Sequence, residues 1–350
     1  MKNTQQYYTV VIAGLGKRGI HHADAVSKNP RLKIVGLCDI DGTRLDVAKQ
    51  KFAVKHTDTD AGRLLLSVKP DIFIFCTLPQ IRLPLIKAAV EADVKLIAYE
   101  KPIAMSTNEA LEMYRLVRGS GIKTVVSHQH RYGEHYKKVK QIIDSGLIGR
   151  VHTVYGTSIG WMMHMMTHMI EYASWYNNYA DPVWVVAAAD GVEKFADVHT
   201  SPDYIGAFVQ FANGVRGTIE CGNLAPDVPE VDSMWHKCRI GAQGTEGFAE
   251  VLTGKNGKGG GYRAVTRNGL ESGPGYMDYE HDMPPYIQDI VNWLDDPQNV
   301  HPCNGETALK GFQVMMAACR SVVRCGKITL PLEQDEPEID ALYRALSKNR

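Results

Sequence analysis

The chain has no surplus charge of either sign: Lys and Arg total 39, Asp and Glu total 39, and the formal net charge is zero over 350 residues. That excludes the broad basic field by which proteins gather nucleic acid or anionic membrane. No apolar run approaches the ~18 residues needed to cross a bilayer, and there is no internal repeat or low-complexity tract. The seven cysteines are odd in number, scattered and without a C-x-x-C pair, so they read as reduced, mostly packed thiols. Met1–Gln6 is polar and leads directly into a strand pattern; no signal peptide is expected, and the expected location is cytoplasmic. What is left is an ordinary globular composition, 44% hydrophobic and 22% charged, long enough for about two domains.

One segment then carries the most information. Val10-Val11-Ile12-Ala13 feeds into Gly14-Leu15-Gly16-Lys17-Arg18-Gly19, a G-x-G-x-x-G motif followed by an amphipathic stretch. Such glycines permit a tight strand-to-helix turn and let a pyrophosphate approach backbone N–H groups at a helix N-terminus. A second apolar run, Leu32–Cys38, ends at Asp39, which lies 20 residues beyond Gly19. A carboxylate there suits an adenosine ribose, so the spacing predicts a dinucleotide-binding βαβ unit.

Residues 1–128 alternate strand and helix patterns. Strands are expected at Tyr7–Ala13, Leu32–Cys38, Asp71–Cys76, Lys95–Tyr99 and Lys123–Ser127, with helices at Leu83–Ala92 and Ser106–Arg118 among them. Ser106-Thr107-Asn108-Glu109 reads as a capping box. Alternation of this kind predicts an α/β, doubly wound parallel sheet. Beyond Gln129 the pattern changes. A helix at 133–145, a strand at Val151–Ile159 and a Met- and His-rich helix at 161–177 come first. Tyr204–Phe211 and Val215–Cys221 flank Asn213-Gly214, a hairpin signal. Strands near Lys237–Gly241, Gly247–Leu252 and Tyr262–Thr266 and helices near 279–295 and 305–325 complete a second, α+β domain with a large, mostly antiparallel open sheet. The expected division is 1–128, 129–332 and a C-terminal tail at 333–350, with acidic Glu333–Glu338 solvated and Lys255–Gly261 a mobile loop tip.

The fourth strand ends in Tyr99-Glu100-Lys101-Pro102. In an open α/β sheet the carboxyl ends of the strands line the ligand crevice, which places Lys101 on the same sheet edge as the Gly14–Gly19 turn. Taken with Asp39 and with Cys76-Thr77-Leu78-Pro79 after the third strand, this set resembles the Gfo/Idh/MocA oxidoreductases, the glucose–fructose oxidoreductase and inositol dehydrogenase relatives. The resemblance runs from Thr9 to about Leu330. It implies an N-terminal Rossmann domain and a second domain carrying the substrate site and the oligomer contacts of a homodimer or homotetramer. It implies that Gly14, Gly16 and Gly19 form the pyrophosphate turn, with Lys17 and Arg18 near phosphate or ribose. Asp39 would hold the adenosine ribose, favouring NAD over NADP, although Arg44 lies close in sequence. Thr77 and Pro79 would border the ribose and nicotinamide, Glu100 and Lys101 would reach the nicotinamide ribose and the substrate, and Gln129 would lie nearby. In Trp161–Glu171, His168 falls on the catalytic histidine position and His164 replaces the usual Asp. Leu83 stands where many relatives have a histidine.

These residues suit hydride transfer from a secondary hydroxyl of a sugar, sugar derivative or cyclitol. Lys101 and His168 are expected to flank that hydroxyl, one as general base and the other holding the oxygen. His164, one helical turn from His168, would relay the proton or bind a second hydroxyl. Trp161 and Tyr132 could stack on a pyranose, with His130, Arg131, Glu171 and Tyr172 bonding hydroxyls or a carboxylate; Trp161 and Tyr172 could equally be core. His164 and His168 stand at i, i+4 with His128 and His130 elsewhere, but no acid is embedded as in H-E-x-x-H, and no metal is expected. Two other readings stay open: a redox-neutral, NAD-dependent glycoside hydrolase, and a non-catalytic nucleotide- or sugar-binding protein.

Overall fold

A computed structural model describes residues 7–254, 260–275 and 278–348. They divide into two compact units. The first comprises the described residues up to Ala104, then Glu109–Gln129 and Tyr279–Ala308. The second comprises Met105–Asn108, the described part of His130–Asp278, and Leu309 onward.

In chain order the first unit contains β1 (Tyr8–Ala13), α1 (Lys17–Ser27), β2 (Leu32–Cys38), α2 (Gly42–Phe52), β3 (His56–Asp58), α3 (Ala61–Val68), β4 (Ile72–Phe75), α4 (Arg82–Glu91), β5 (Leu96–Tyr99), α5 (Thr107–Ser120, whose first two residues group with the second unit) and β6 (Lys123–Val126). The strands form one parallel sheet in the order β3-β2-β1-β4-β5-β6. Val10, Val11, Ile12, Phe73, Phe75, Leu96 and Ile97 are fully buried. This explains their continuous apolar runs, since the central strands β1, β4 and β5 are covered on both faces. Strand order reverses between β1 and β4, the switch point outside which ligands bind in open α/β sheets.

The second unit runs through α6 (Glu134–Asp144), β7 (Val151–Ser158), a π-helical turn at Met162–Met166, α7 (Thr167–Tyr176), β8 (Pro182–Asp190), β9 (Tyr204–Phe211), β10 (Arg216–Gly222), β11 (Cys238–Gly244), β12 (Gly247–Leu252), β13 (Gly261–Thr266) and β14 (Gly269–Pro274). The chain then returns to the first unit with α8 (Tyr279–Asp295). After it come α9 (Gly305–Arg324), β15 (Ile328–Thr329) and α10 (Glu338–Ser347). The second sheet is ordered β14-β13-β12-β11-β7-β10-β9-β8-β15. Among the described strands its neighbours are antiparallel except for β7 and β10. Helices α6 and α7 pack on it. Asn213 and Gly214 form the β9–β10 turn, with Gly214 at φ +84°.

Several features depart from the sequence reading. Helix α8 packs against α1 rather than closing the second domain. Glu333, Gln334 and Glu336 are exposed as expected, but Glu338 is 2% exposed, and the expected tail beyond it folds as α10, which buries Ile339, Ala341 and Leu342. The Glu338 carboxylate receives Arg320 at 2.6 and 3.0 Å and the Thr107 backbone N–H at 3.1 Å, so it satisfies the start of α5 from a distance in sequence. Strands β3, β8, β14 and β15 have no counterpart in the sequence reading. The expected loop tip at Lys255–Gly261 falls mostly, at 255–259, outside the described residues. Among the described residues no helix is long and apolar enough to cross a membrane.

Candidate active site

In the first unit the glycine turn is built by close approach. Gly14 has φ +80°, and a Cβ there would lie 2.6 Å from the Cys76 carbonyl oxygen. A Cβ on Gly19 would lie 1.8 Å from the Gly14 carbonyl oxygen. Gly16 differs, because a Cβ there meets nothing within 4 Å. Open space thus lies beside the first turn of α1, whose N-cap Gly16 makes no side-chain cap and which has no acidic residue. Uncapped N–H groups at a helix start favour an anion. Lys17 is exposed and Arg18 half-buried, its guanidinium 4.1 Å over the Tyr279 ring.

Asp39, 5% exposed, accepts the Leu15 N–H at 2.5 Å and the Asp41 N–H at 2.8 Å, which ties the end of β2 to the glycine turn. Arg44 is drawn to Asp41 at 3.4 Å. Thr77 follows β4, and Pro79 is buried at the start of a 3-10 turn. Thr77 Oγ1 and Gln129 Oε1 are buried with no hydrogen-bond partner among the described residues. Open space at Gly16, the carboxylate of Asp39 and these two orphaned oxygens are what a dinucleotide would use, and the residues fit NAD.

Glu100 and Lys101 end β5, 7% and 9% exposed. Burial pushes the Glu100 carboxyl up, but the His22 hydrogen bond and the charges of Arg18, His22 and Lys101 outweigh it and hold its pKa well below the usual range. Burial lowers Lys101 to about 7, with Arg18 and Arg82 adding to the fall and Glu100 opposing it. A neutral amine is therefore accessible at neutral pH, the condition for a general base. His22, absent from the sequence reading, lies 3.3 Å from Glu100 and 3.2 Å from Ser127 Oγ, which lies 3.3 Å from the Tyr286 hydroxyl. His22, Cys76 and Glu100 place possible ligand atoms within 4.8 Å of one another. Arg18 and Lys101 already supply positive charge to that carboxylate. Leu83 is half-buried, and its neighbour Arg82 is 1% exposed.

In the second unit His168 is 5% exposed, with the Tyr172 hydroxyl 3.3 Å from its Nδ1 and the His130 ring 5.9 Å away. Tyr172, itself 1% exposed, stacks on His168 and packs edge-on against Tyr136. His164 keeps other company. It lies in the π-helical turn, where the Trp161 carbonyl accepts both His164 N–H and Met165 N–H. Its ring packs 4.6 Å from His199 and 4.8 Å from Trp235, and Trp235 meets Trp161 edge-on at 4.9 Å, with Lys194 5.3 Å over Trp161. Met162, Met163, Met165 and Met166 are buried.

Arg131 stacks over Trp175 at 4.5 Å and donates to the Tyr179 hydroxyl, which donates to Glu171 at 2.7 Å. Burial raises the Glu171 pKa, the Tyr179 bond and Arg131 opposing. Tyr132 is half-buried at the end of the 3-10 turn Gln129–Tyr132. Sequence reading missed Tyr179, His199, Trp235 and Lys194 because each enters from a different loop or short turn; only folding brings them to the 161–171 segment.

Residues 8–128 match the family model described as oxidoreductase family, NAD-binding Rossmann fold. The uncharacterized oxidoreductase YrbE of Bacillus subtilis is 32% identical over 155 residues, 44% of this chain and 45% of that protein. The myo-inositol 2-dehydrogenase of Thermotoga maritima is 23% identical over 147 residues, 42% and 44% of the two chains. The chain thus spans about half the length of the curated relatives it matches. An oxidoreductase from Agrobacterium radiobacter, solved in complex with NAD+, L-tartaric acid and magnesium, shares the fold with a TM-score of 0.79 at 17% identity, covering 93% of this chain and 98% of that one. Residues 8–128 are thus similar to the NAD-binding Rossmann domain of the Gfo/Idh/MocA oxidoreductase family.

Proposed function

We propose that the protein is an NAD-dependent oxidoreductase that removes hydride from a secondary hydroxyl of a sugar, sugar derivative or cyclitol. The observation that carries this reading is Lys101, a buried amine at the carboxyl end of β5 with its pKa lowered to about 7. Gly14, Gly16, Gly19, Lys17, Arg18 and Asp39 would hold the dinucleotide, with Thr77, Pro79, Glu100 and Gln129 toward its nicotinamide half. Bound NAD+ supplies the hydride acceptor. Lys101, as the neutral amine, takes the hydroxyl proton as the C–H bond is broken. In the second unit His168, its ring oriented by the Tyr172 hydroxyl at Nδ1, suits a substrate hydroxyl. The corner formed by Trp161, Trp235, His164 and His199 suits a polyhydroxylated ring, with apolar faces for C–H groups and imidazoles for hydroxyls. The inositol dehydrogenases among the relatives support a cyclitol or sugar as substrate.

The test is to follow NADH absorbance with purified protein and NAD+ over a panel of cyclitols, aldoses and sugar acids, with aryl glycosides beside them. Accumulating NADH with a ketone product supports the reading. Aglycone release without net NADH, or no turnover of any polyol, overturns it.

A further inference from the structure

Arg82 is the largest buried side chain that neither nucleotide binding nor the proposed chemistry explains. It opens α4 just after the Pro79–Ile81 turn and is 1% exposed. Its guanidinium carries five N–H donors. Nη2 alone is used, donating to the Thr77 carbonyl at 2.8 Å and to the Lys101 carbonyl at 3.3 Å. Nε and Nη1 have no hydrogen-bond partner among the described residues, and no carboxylate bonds the group. A buried cation with unmet donors is costly, and an apolar residue of similar volume is often the more stable choice. The two carbonyls explain what the cost achieves. Thr77 follows β4 and Lys101 follows β5, and these are adjacent parallel strands in register from Ile72↔Leu96 to Phe75↔Tyr99. One guanidinium nitrogen therefore bridges the carboxyl ends of both strands.

We propose that Arg82 is a positioning residue for Lys101. Its guanidinium fixes the strand end that carries the amine and holds a permanent positive charge against it. This rests on the reading of Lys101 as general base. Among the charged groups acting on the Lys101 amine are Glu100 on its own segment, Arg18 on α1 and Arg82 on α4. Glu100 favours the ammonium; both arginines disfavour it. Burial brings Arg82 itself down to only about 10, so it keeps its charge at the pH where Lys101 titrates.

The test measures the titration of Lys101 directly in the full-length protein, by trace labelling with acetic anhydride across pH and mass spectrometry of the Lys101 peptide. Arg82→Gln and Arg82→Met remove the charge; Arg82→Lys keeps it. The proposal expects the midpoint to rise by about 0.5–1 pH unit in the two neutral variants and to stay near the wild-type value in Arg82→Lys. The acid limb of turnover should move the same way. An unchanged midpoint in a folded neutral variant overturns the proposal. So does failure of both neutral variants to melt cooperatively, since Arg82 would then be a structural clamp only. If the midpoint moves but Lys101→Ala turns over normally, the base assignment falls while the coupling between positions 82 and 101 stands.

Discussion

Two alanine substitutions in one glycine turn should fail in opposite ways. Gly16 has φ −66° and ψ −172°, a conformation open to alanine, and its added Cβ meets nothing within 4 Å. Gly16→Ala should fold. Reduced freedom in the unfolded chain adds about 0.4–1 kcal/mol, and the poorer cap removes a few tenths to about 1 kcal/mol. The melting temperature without nucleotide should shift by no more than about 3 °C. The new methyl occupies the space a pyrophosphate oxygen needs to reach the α1 N–H groups. Losing one charge-assisted hydrogen bond costs about 1.5–3 kcal/mol, a rise in Kd for NAD of about 10- to 100-fold. Gly19→Ala is the reverse. Its Cβ would sit 1.8 Å from the Gly14 carbonyl oxygen, far inside the 3.0 Å that real Cβ contacts respect. Gly14 cannot yield, because its N–H is bonded to Cys38 O at 2.9 Å and it already lies against the Cys76 carbonyl. The apoprotein should lose about 1–3 kcal/mol or more. Thermal unfolding by circular dichroism and calorimetric titration with NAD separate the two effects. Wild-type affinity in Gly16→Ala, or a wild-type melt in Gly19→Ala, would refute the reasoning.

Asp39→Asn removes the charge that a 2′-phosphate would meet; the NAD-over-NADP preference should fall by about tenfold or more, read from Kd values for both nucleotides, and an unchanged ratio would contradict the role given to Asp39. Arg320→Ala strands the Glu338 carboxylate, 2% exposed, and should destabilise the fold by about 3–5 kcal/mol; a loss under 1 kcal/mol in urea unfolding would show that α10 is not anchored by that pair. Tyr179→Phe removes the hydroxyl that donates to buried Glu171 at 2.7 Å and should cost about 1–3 kcal/mol at neutral pH. The sign with pH follows from the raised Glu171 pKa: the folded carboxyl keeps its proton to higher pH than the unfolded one, so stability contributed by Glu171 falls as pH rises through that window. Without Tyr179 the fall should be steeper, and a parallel stability–pH curve would contradict it.

The first unit was legible because its central strands are buried on both faces. The Asp71–Cys76 run has no polar alternation to obscure it, Leu32–Cys38 is interrupted only by the exposed Lys33, and the glycine spacing marks the turn directly. The missed strands lack such a pattern. β3 is three residues, His56–Asp58, too short to show a period, and β8 reads PVWVVAAAD, whose alanines are as compatible with helix as with strand. In the tail, the acidic run to Glu338 masked an amphipathic helix whose first residue is a buried partner of Arg320. Of the proposed site residues, Lys101 stands in a local motif and His168 was singled out by the family resemblance. Arg82 and His22 were not: burial and the carbonyls or carboxylate they meet are properties of the folded strand ends, invisible in residue spacing. The π-helical turn at Met162–Met166 likewise has no signature in a Met- and His-rich segment.

The most direct test of Lys101 as base is single-turnover oxidation of an identified polyol by NAD-saturated enzyme, followed as NADH absorbance from pH 5 to 9 in wild type and Lys101→Ala. The wild-type rate should fall about tenfold per pH unit below a midpoint near 7, where the amine becomes ammonium and cannot accept the proton. Lys101→Ala should bind NAD with wild-type affinity, be slower by about 10²–10⁴-fold, and lack that limb. A Lys101→Ala enzyme with the wild-type rate and the same acid limb would contradict the account.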